Sequence, residues 1–121
     1  MARHNDTGKQ GEERARAYLL SKGYKLRATN WSCGKLELDI VAEQDGVLVI
    51  VEVKTRSTDV FEHPQEAITA RKIRNIVEAT HEYILLHDWE GDTRFDVISV
   101  IPQGDSFRIE HVEDAFLPPL S

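Results

Sequence analysis

The chain has 121 residues, 40% of them hydrophobic, which suffices for one domain with a core of two or three layers and leaves too little for a second. Its apolar run from Val47 to Val51 is far too short to span a bilayer and the basic N-terminus lacks the apolar core of a signal peptide, so a cytoplasmic protein with no membrane partner is expected. The net charge of −6 is unevenly placed: residues 1–74 hold 13 of the 15 Lys and Arg and 11 of the 21 Asp and Glu, a balance of +2, and residues 75–121 carry −8, so the acidity does not exclude a polyanionic partner for the first part.

In chain order, Thr7-Gly8-Lys9-Gln10 has the form of a capping box and Gly23 suits the left-handed residue after a helix end, which predicts a helix over residues 8–22. On it Glu12, Ala15 and Leu19 share one stripe, so a carboxylate lies on or beside the face that meets the core and needs a partner there. Tyr24, Leu26 and Ala28 alternate with Lys25, Arg27 and Thr29 as a strand does, and residues 30–34 read as a loop. A second strand follows, in which Leu36, Leu38 and Ile40 alternate with Glu37, Asp39 and Val41. Asp45-Gly46 is a strong hairpin signal, since both central residues of a type I′ turn take positive φ. The returning strand, Val47 to Val53, is apolar enough to be central in its sheet.

Residues 55–63 read as a polar loop, with Pro64 placed as a first helical residue. The stripe of Ile73, Ile76, Val77, Thr80, Tyr83 and Ile84 predicts one or two helices from residue 64 to about residue 87. Two further strands are predicted over residues 94–101 and 107–112, joined by a turn at Gln103-Gly104-Asp105, before an irregular tail over residues 113–121. The order α-β-β-β-α-β-β suggests a mixed sheet flanked by helices, with its core between about residues 8 and 112.

The hairpin carries the chemistry. If Asp45 and Gly46 occupy the turn, Gln44 faces Val47, Asp39 faces Glu52 and Glu37 faces Lys54. Opposed side chains have Cβ atoms roughly 4.5 to 5.5 Å apart, so two carboxylates meet and something positive must stand between them. Lys54 is one candidate and a hard cation, Mg²⁺ or Mn²⁺, is the other, with the Val53 backbone carbonyl as a further ligand. Such a site suits phosphodiester hydrolysis, in which Lys54 orients or helps deprotonate the attacking water, or stabilises developing charge. The competing account is a surface ladder pairing Glu37 with Lys54, leaving Asp39 and Glu52 solvated. The register, the apolar strand leading into Glu52 and the inward-facing Glu12 favour the metal site.

Asp39 followed by Glu52-Val53-Lys54 resembles the PD-(D/E)xK signature of restriction-endonuclease-like folds. Together with Gly11-Glu12, Gly23-Tyr24, Asn30-Trp31, Glu37-Leu38-Asp39, Thr55-Arg56, Lys72 and Arg94-Phe95-Asp96, it resembles the small bacterial YraN-like family related to Holliday-junction resolvases, over about residues 8–101. The resemblance implies an αβββαβ nuclease core, with Glu12, Asp39 and Glu52 as metal-site carboxylates, Lys54 as the catalytic lysine and a junction- or flap-like DNA substrate. Two features depart from the pattern: Leu38 stands where the signature has proline, and Lys35-Leu36 precede Glu37 where a glycine is expected.

Basic residues Lys35, Arg56 and Lys72 and the ring of Trp31 are the candidate nucleic-acid contacts, although a Trp between strands more often closes the edge of a core. His4, His63, His81, His87 and His111 are scattered and receive no role, nor does the lone Cys33, and Asp96 reads as structural. The leading expectation is a Mg²⁺- or Mn²⁺-dependent endonuclease acting on branched DNA, as a homodimer if two symmetric cuts are made. A catalytically silent module of the same fold that binds nucleic acid or a protein partner is the alternative.

Overall fold

The computed structural model describes residues 3–56 and 68–116, with side chains from residue 8 onward. Its elements are α1 (Arg3–Ser21), β1 (Lys25–Cys33), β2 (Leu36–Gln44), β3 (Val47–Thr55), α2 (Ala70–His87), β4 (Asp92–Gln103) and β5 (Ser106–Val112). The strands lie side by side in chain order as one mixed α/β sheet, antiparallel except for the parallel pair β3 and β4. A parallel pair needs a crossover, and α2 lies within it. Among the described residues no helix is long and apolar enough to cross a membrane.

The helices cover opposite faces. Ala15 and Leu19 of α1 pack with Tyr24, Ile40, Ala42, Val49, Val51, Ile98 and Val100, whereas Ile76, Ala79 and Tyr83 of α2 pack with Leu38, Val41, Leu48, Ile50 and Phe95. Alternate residues of β3 thus feed both cores, which is why its sequence is apolar almost throughout. Burial of each large aliphatic side chain contributes about 1.5–3 kcal/mol.

Local chemistry explains most boundaries. Asp45 and Gly46 have φ of 53° and 77°, as the type I′ turn requires, and Gln44 pairs with Val47. Thr69 caps α2, its Oγ1 accepting from Lys72 N at 3.1 Å, and Asp88 ends the helix in the left-handed region. The capping box at Thr7 does not start α1, which begins at Arg3; neither Pro nor Gly stands between them to stop the backbone. Pro64 lies outside the described residues.

The loop expected over residues 30–34 is mostly strand. Asn30 takes φ 49°, a conformation Asn tolerates, so the chain kinks and pairing resumes from Trp31↔Leu38 to Cys33↔Leu36, leaving Gly34 and Lys35 as the turn. Opposite Asn30 stands Asp39, and the irregularity extends to it. Leu38 packs on the α2 side and Ile40 on the α1 side, although a regular pleat puts both on one face. The β2–β3 ladder runs from Gln44↔Val47 only as far as Ile40↔Val51. Beyond that pair β2 continues with β1 alone and a gap opens beside the C-terminal half of β3.

α1 is seated close to that gap. Gly11 is buried, and a Cβ there would run into the side chain of Thr55 at the end of β3. Gly11→Ala is therefore expected to destabilise the protein by about 1–3 kcal/mol, as overpacking does, despite the better helix propensity of alanine. A melting temperature equal to or above that of the wild type would show that the close approach is dispensable.

Candidate metal centre

Asp39 stands where β2 parts from β3, and its side chain replaces the missing ladder: Oδ2 accepts from the Val53 backbone N at 2.9 Å. Glu52, the next residue of β3 beyond the ladder, is only 6% exposed. By alternation it faces the α2 side, as Leu48 and Ile50 do. The Asp39 and Glu52 carboxyl groups lie close enough for each to act on the other's ionisation. Burial first, and then the charge of Asp39, pushes the Glu52 carboxyl up to about 7. Burial also raises Asp39, opposed chiefly by the Val53 N–H. The pair thus retains a proton, chiefly on Glu52, up to about neutral pH.

Two lysines flank the pair. Lys72, in the first turn of α2, places Nζ 3.5 Å from Glu52 Oε2, and Lys54 Nζ lies 3.9 Å from the same oxygen. The expected opposition of Glu37 and Lys54 does not form, because the β2–β3 ladder has already ended. Glu37 pairs with Ser32 on β1 and is exposed, whereas Lys54 pairs with Ser99 on β4. Glu12 approaches from α1, half-buried. Asn30 Nδ2 donates to its Oε1 at 3.2 Å, and its charge contributes to raising Asp39. The Val53 carbonyl leaves its strand on the side of its own N–H, toward Asp39.

Among the described residues no three carboxylate, histidine or cysteine groups converge into a closed cage. The donor set fits a hard cation of the Mg²⁺ kind, which takes one or two carboxylates and fills its shell with water and substrate oxygens. The buried Glu52 carboxyl beside the half-buried Asp39, whose Oδ2 is fixed by the Val53 N–H, is the arrangement behind that fit. Zinc suits these residues less well, since nitrogen and sulfur ligands are missing from the cluster.

The other expected contacts are dispersed around this centre. Lys35 is exposed at the β1–β2 turn, and Arg56 follows β3 with its backbone N on Val100 O. Trp31 lies in β1, not in a loop, and its ring meets Tyr83 edge-on at 5.3 Å. This contact favours the core-edge role over a free stacking platform. The residues that sequence reasoning passed over are Asn30, which positions Glu12, and the Val53 N–H, which anchors Asp39. Asn30 carried a signal, an Asn able to take positive φ inside an alternating stretch.

A second polar cluster lies on the α1 side. The fully buried Asp96 accepts from Arg94 Nε and Nη2 at 2.9 and 2.8 Å and from Asp114 N at 3.0 Å, and pairs with His111 Nε2 at 2.7 Å. Tyr18 OH meets His111 Nδ1, and Arg94 also donates to Tyr24 OH. Burial would raise the Asp96 carboxyl, but its bonds to His111, Arg94 and Asp114 N hold it below the ordinary range. The cluster joins α1, β4, β5 and the segment after it. The structural reading of Asp96 accords with these partners, and His111, given no role in the sequence, is one of them.

A model of the uncharacterised protein family UPF0102 matches residues 11–100. Relatives, each known as a UPF0102 protein, include one from Phocaeicola vulgatus, 48% identical over 120 residues and 99% of either chain. One from Bacteroides thetaiotaomicron is 49% identical over 99% of either chain. One from Porphyromonas gingivalis is 49% identical over 96% of this chain and 87% of its own.

Proposed function

Because the chain belongs to UPF0102, a family described only as uncharacterised, its activity has to be read from its own residues, and we propose that it is a Mg²⁺- or Mn²⁺-dependent endonuclease of the restriction-endonuclease-like, YraN-related kind that cuts phosphodiester bonds in branched DNA. The observation that carries the proposal is the buried Glu52 beside the half-buried Asp39 at the point where β2 leaves β3, with Lys54 and Lys72 at their side. A divalent cation bound there supplies charge neutralisation at the phosphoryl oxygens and a water activated for attack.

The chain's own residues do the rest. Asp39, Glu52 and the Val53 carbonyl hold the cation, and Glu12 closes the site from α1. Lys54 orients the attacking water or stabilises charge on the phosphoryl oxygens. Lys72, Arg56 and Lys35 meet flanking phosphates, positioning the duplex without reading its sequence. A homodimer presents two such sites for symmetric cuts.

The second reading, a module of this fold that binds without cutting, is favoured by the net charge of −6 and by the lack, among the described residues, of a group of three metal-ligating side chains. One experiment separates them: thermal melts with Mn²⁺, run beside cleavage of a labelled four-way junction, with Asp39→Ala as the control. The wild type is expected to melt several degrees higher in Mn²⁺ and to cut, and the variant to do neither. A Mn²⁺ shift without cleavage of any branched, flapped or single-stranded DNA favours the silent module. The absence of a shift in the wild type removes the metal centre.

A further inference from the structure

Ser99 lies in β4, 1% exposed, and its Oγ has no hydrogen-bond partner. A buried hydroxyl left unpaired lowers stability, so its presence asks for a reason. The parallel register sets Ser99 against Lys54, and paired residues of neighbouring strands share a face. That face is the one bearing Glu52, since Ile50 and its partner Phe95, at the same parity in their strands, both pack under α2. An unpaired acceptor is thus buried in the row of the candidate centre, beside the lysine of that centre.

Lys54 has three N–H donors and directs its ammonium along its own strand to Glu52 Oε2 at 3.9 Å. Once Glu52 gives its oxygens to a cation, that attraction is offset by the bound charge, and the ammonium is released to turn to a nearby acceptor. We propose that Ser99 is the positioning residue for Lys54: its Oγ accepts from the ammonium when a cation occupies the Asp39–Glu52 pair, and so fixes Lys54 beside the reacting phosphoryl group. This inference rests on the endonuclease reading and adds to it the one buried hydroxyl left unsatisfied among the described residues.

The test combines a thermal cycle with kinetics, using wild type, Ser99→Ala, Lys54→Met and the double variant, each melted with and without Mg²⁺. Without metal, Ser99→Ala is expected to melt at or above the wild type, because an unpaired hydroxyl has gone. With Mg²⁺ it gains less than the wild type does, and the shortfall disappears in the Lys54→Met background. Its kcat on branched DNA falls by about 10–100-fold with KM unchanged, as for other groups that orient an active-site residue, and Ser99→Thr, which keeps the hydroxyl, recovers it. Equal Mg²⁺ gains together with a wild-type kcat overturn the role of Ser99 alone. A lower melting temperature of Ser99→Ala in every background makes the residue structural and overturns the role too. No Mg²⁺ gain in the wild type overturns the metal reading, and the role of Ser99 with it.

Discussion

Lys54→Met is expected to lower the single-turnover rate of DNA cleavage by roughly a thousandfold, as the loss of a transition-state charge partner does, while the melting temperature barely changes. The ammonium is 3.9 Å from Glu52 and its side chain is 29% exposed, whereas Lys72 is nearer, at 3.5 Å. Removing Lys54 therefore leaves Glu52 with a cationic neighbour, and partly exposed pairs of this kind are worth about 0–1 kcal/mol. Glu37 does not depend on Lys54, since the two strands have parted before they meet. Affinity for Mn²⁺ should persist or tighten, because a competing cation is gone. Single-turnover cleavage beside thermal melts decides the matter. Undiminished cleavage refutes a catalytic Lys54, and a rate loss matched by a comparable loss of stability assigns the lysine to folding instead.

In the metal-free protein, stability is expected to fall as the pH rises from about 4.5, the ordinary value for Glu52, to about 7, its value in the fold. In that window the native Glu52 keeps a proton that the unfolded chain has released, so each rise in pH favours unfolding. A difference of this size corresponds to about 3 kcal/mol. The raised Asp39 acts in the same direction. The lowered Asp96 acts in the opposite one: its contribution is present above the ordinary carboxylate range and is lost as the pH falls below it, outside the window. Saturating Mg²⁺ should flatten the slope by displacing the retained proton, and its apparent affinity should rise about tenfold per pH unit until the pH reaches about 7. Glu52→Gln reduces the slope without metal to the part that Asp39 contributes. Urea unfolding in EDTA across this range is the measurement, and a level wild-type profile rules out the retained proton.

What could be read from the residues alone was whatever depended on near neighbours. Asp45-Gly46 set the hairpin register as far as Ile40↔Val51, and the stripe of α2 marked the side chains that meet the sheet. The juxtaposition of Asp39 with Glu52 followed from that register, although the Asp39 side chain, not the ladder, completes it. The pairing of Glu37 with Lys54 failed because register arithmetic continues indefinitely, whereas a ladder ends where the backbone kinks. The kink is accompanied by a positive φ at Asn30, which stands opposite Asp39 on a different strand. Asp96 and His111 were each visible, but their contact depends on how β4 and β5 place side chains on the α1 face, which no local pattern encodes. The unpaired state of the Ser99 hydroxyl is likewise a property of its surroundings, absent from any reading of residue types.

The Asp96 cluster also bears on how the chain matures on the ribosome. Synthesis proceeds from the N-terminus, and His111 and the Asp114 N–H, two of the partners of Asp96, are among the later residues to emerge. A nascent chain that ends before them has both helices, both hairpin strands of the candidate centre and the parallel pair, yet the Asp96 carboxylate has, of the partners described, only the Arg94 guanidinium. The α1 side of the sheet is therefore expected to close around Asp96 only once β5 and the Asp114 N–H have joined it.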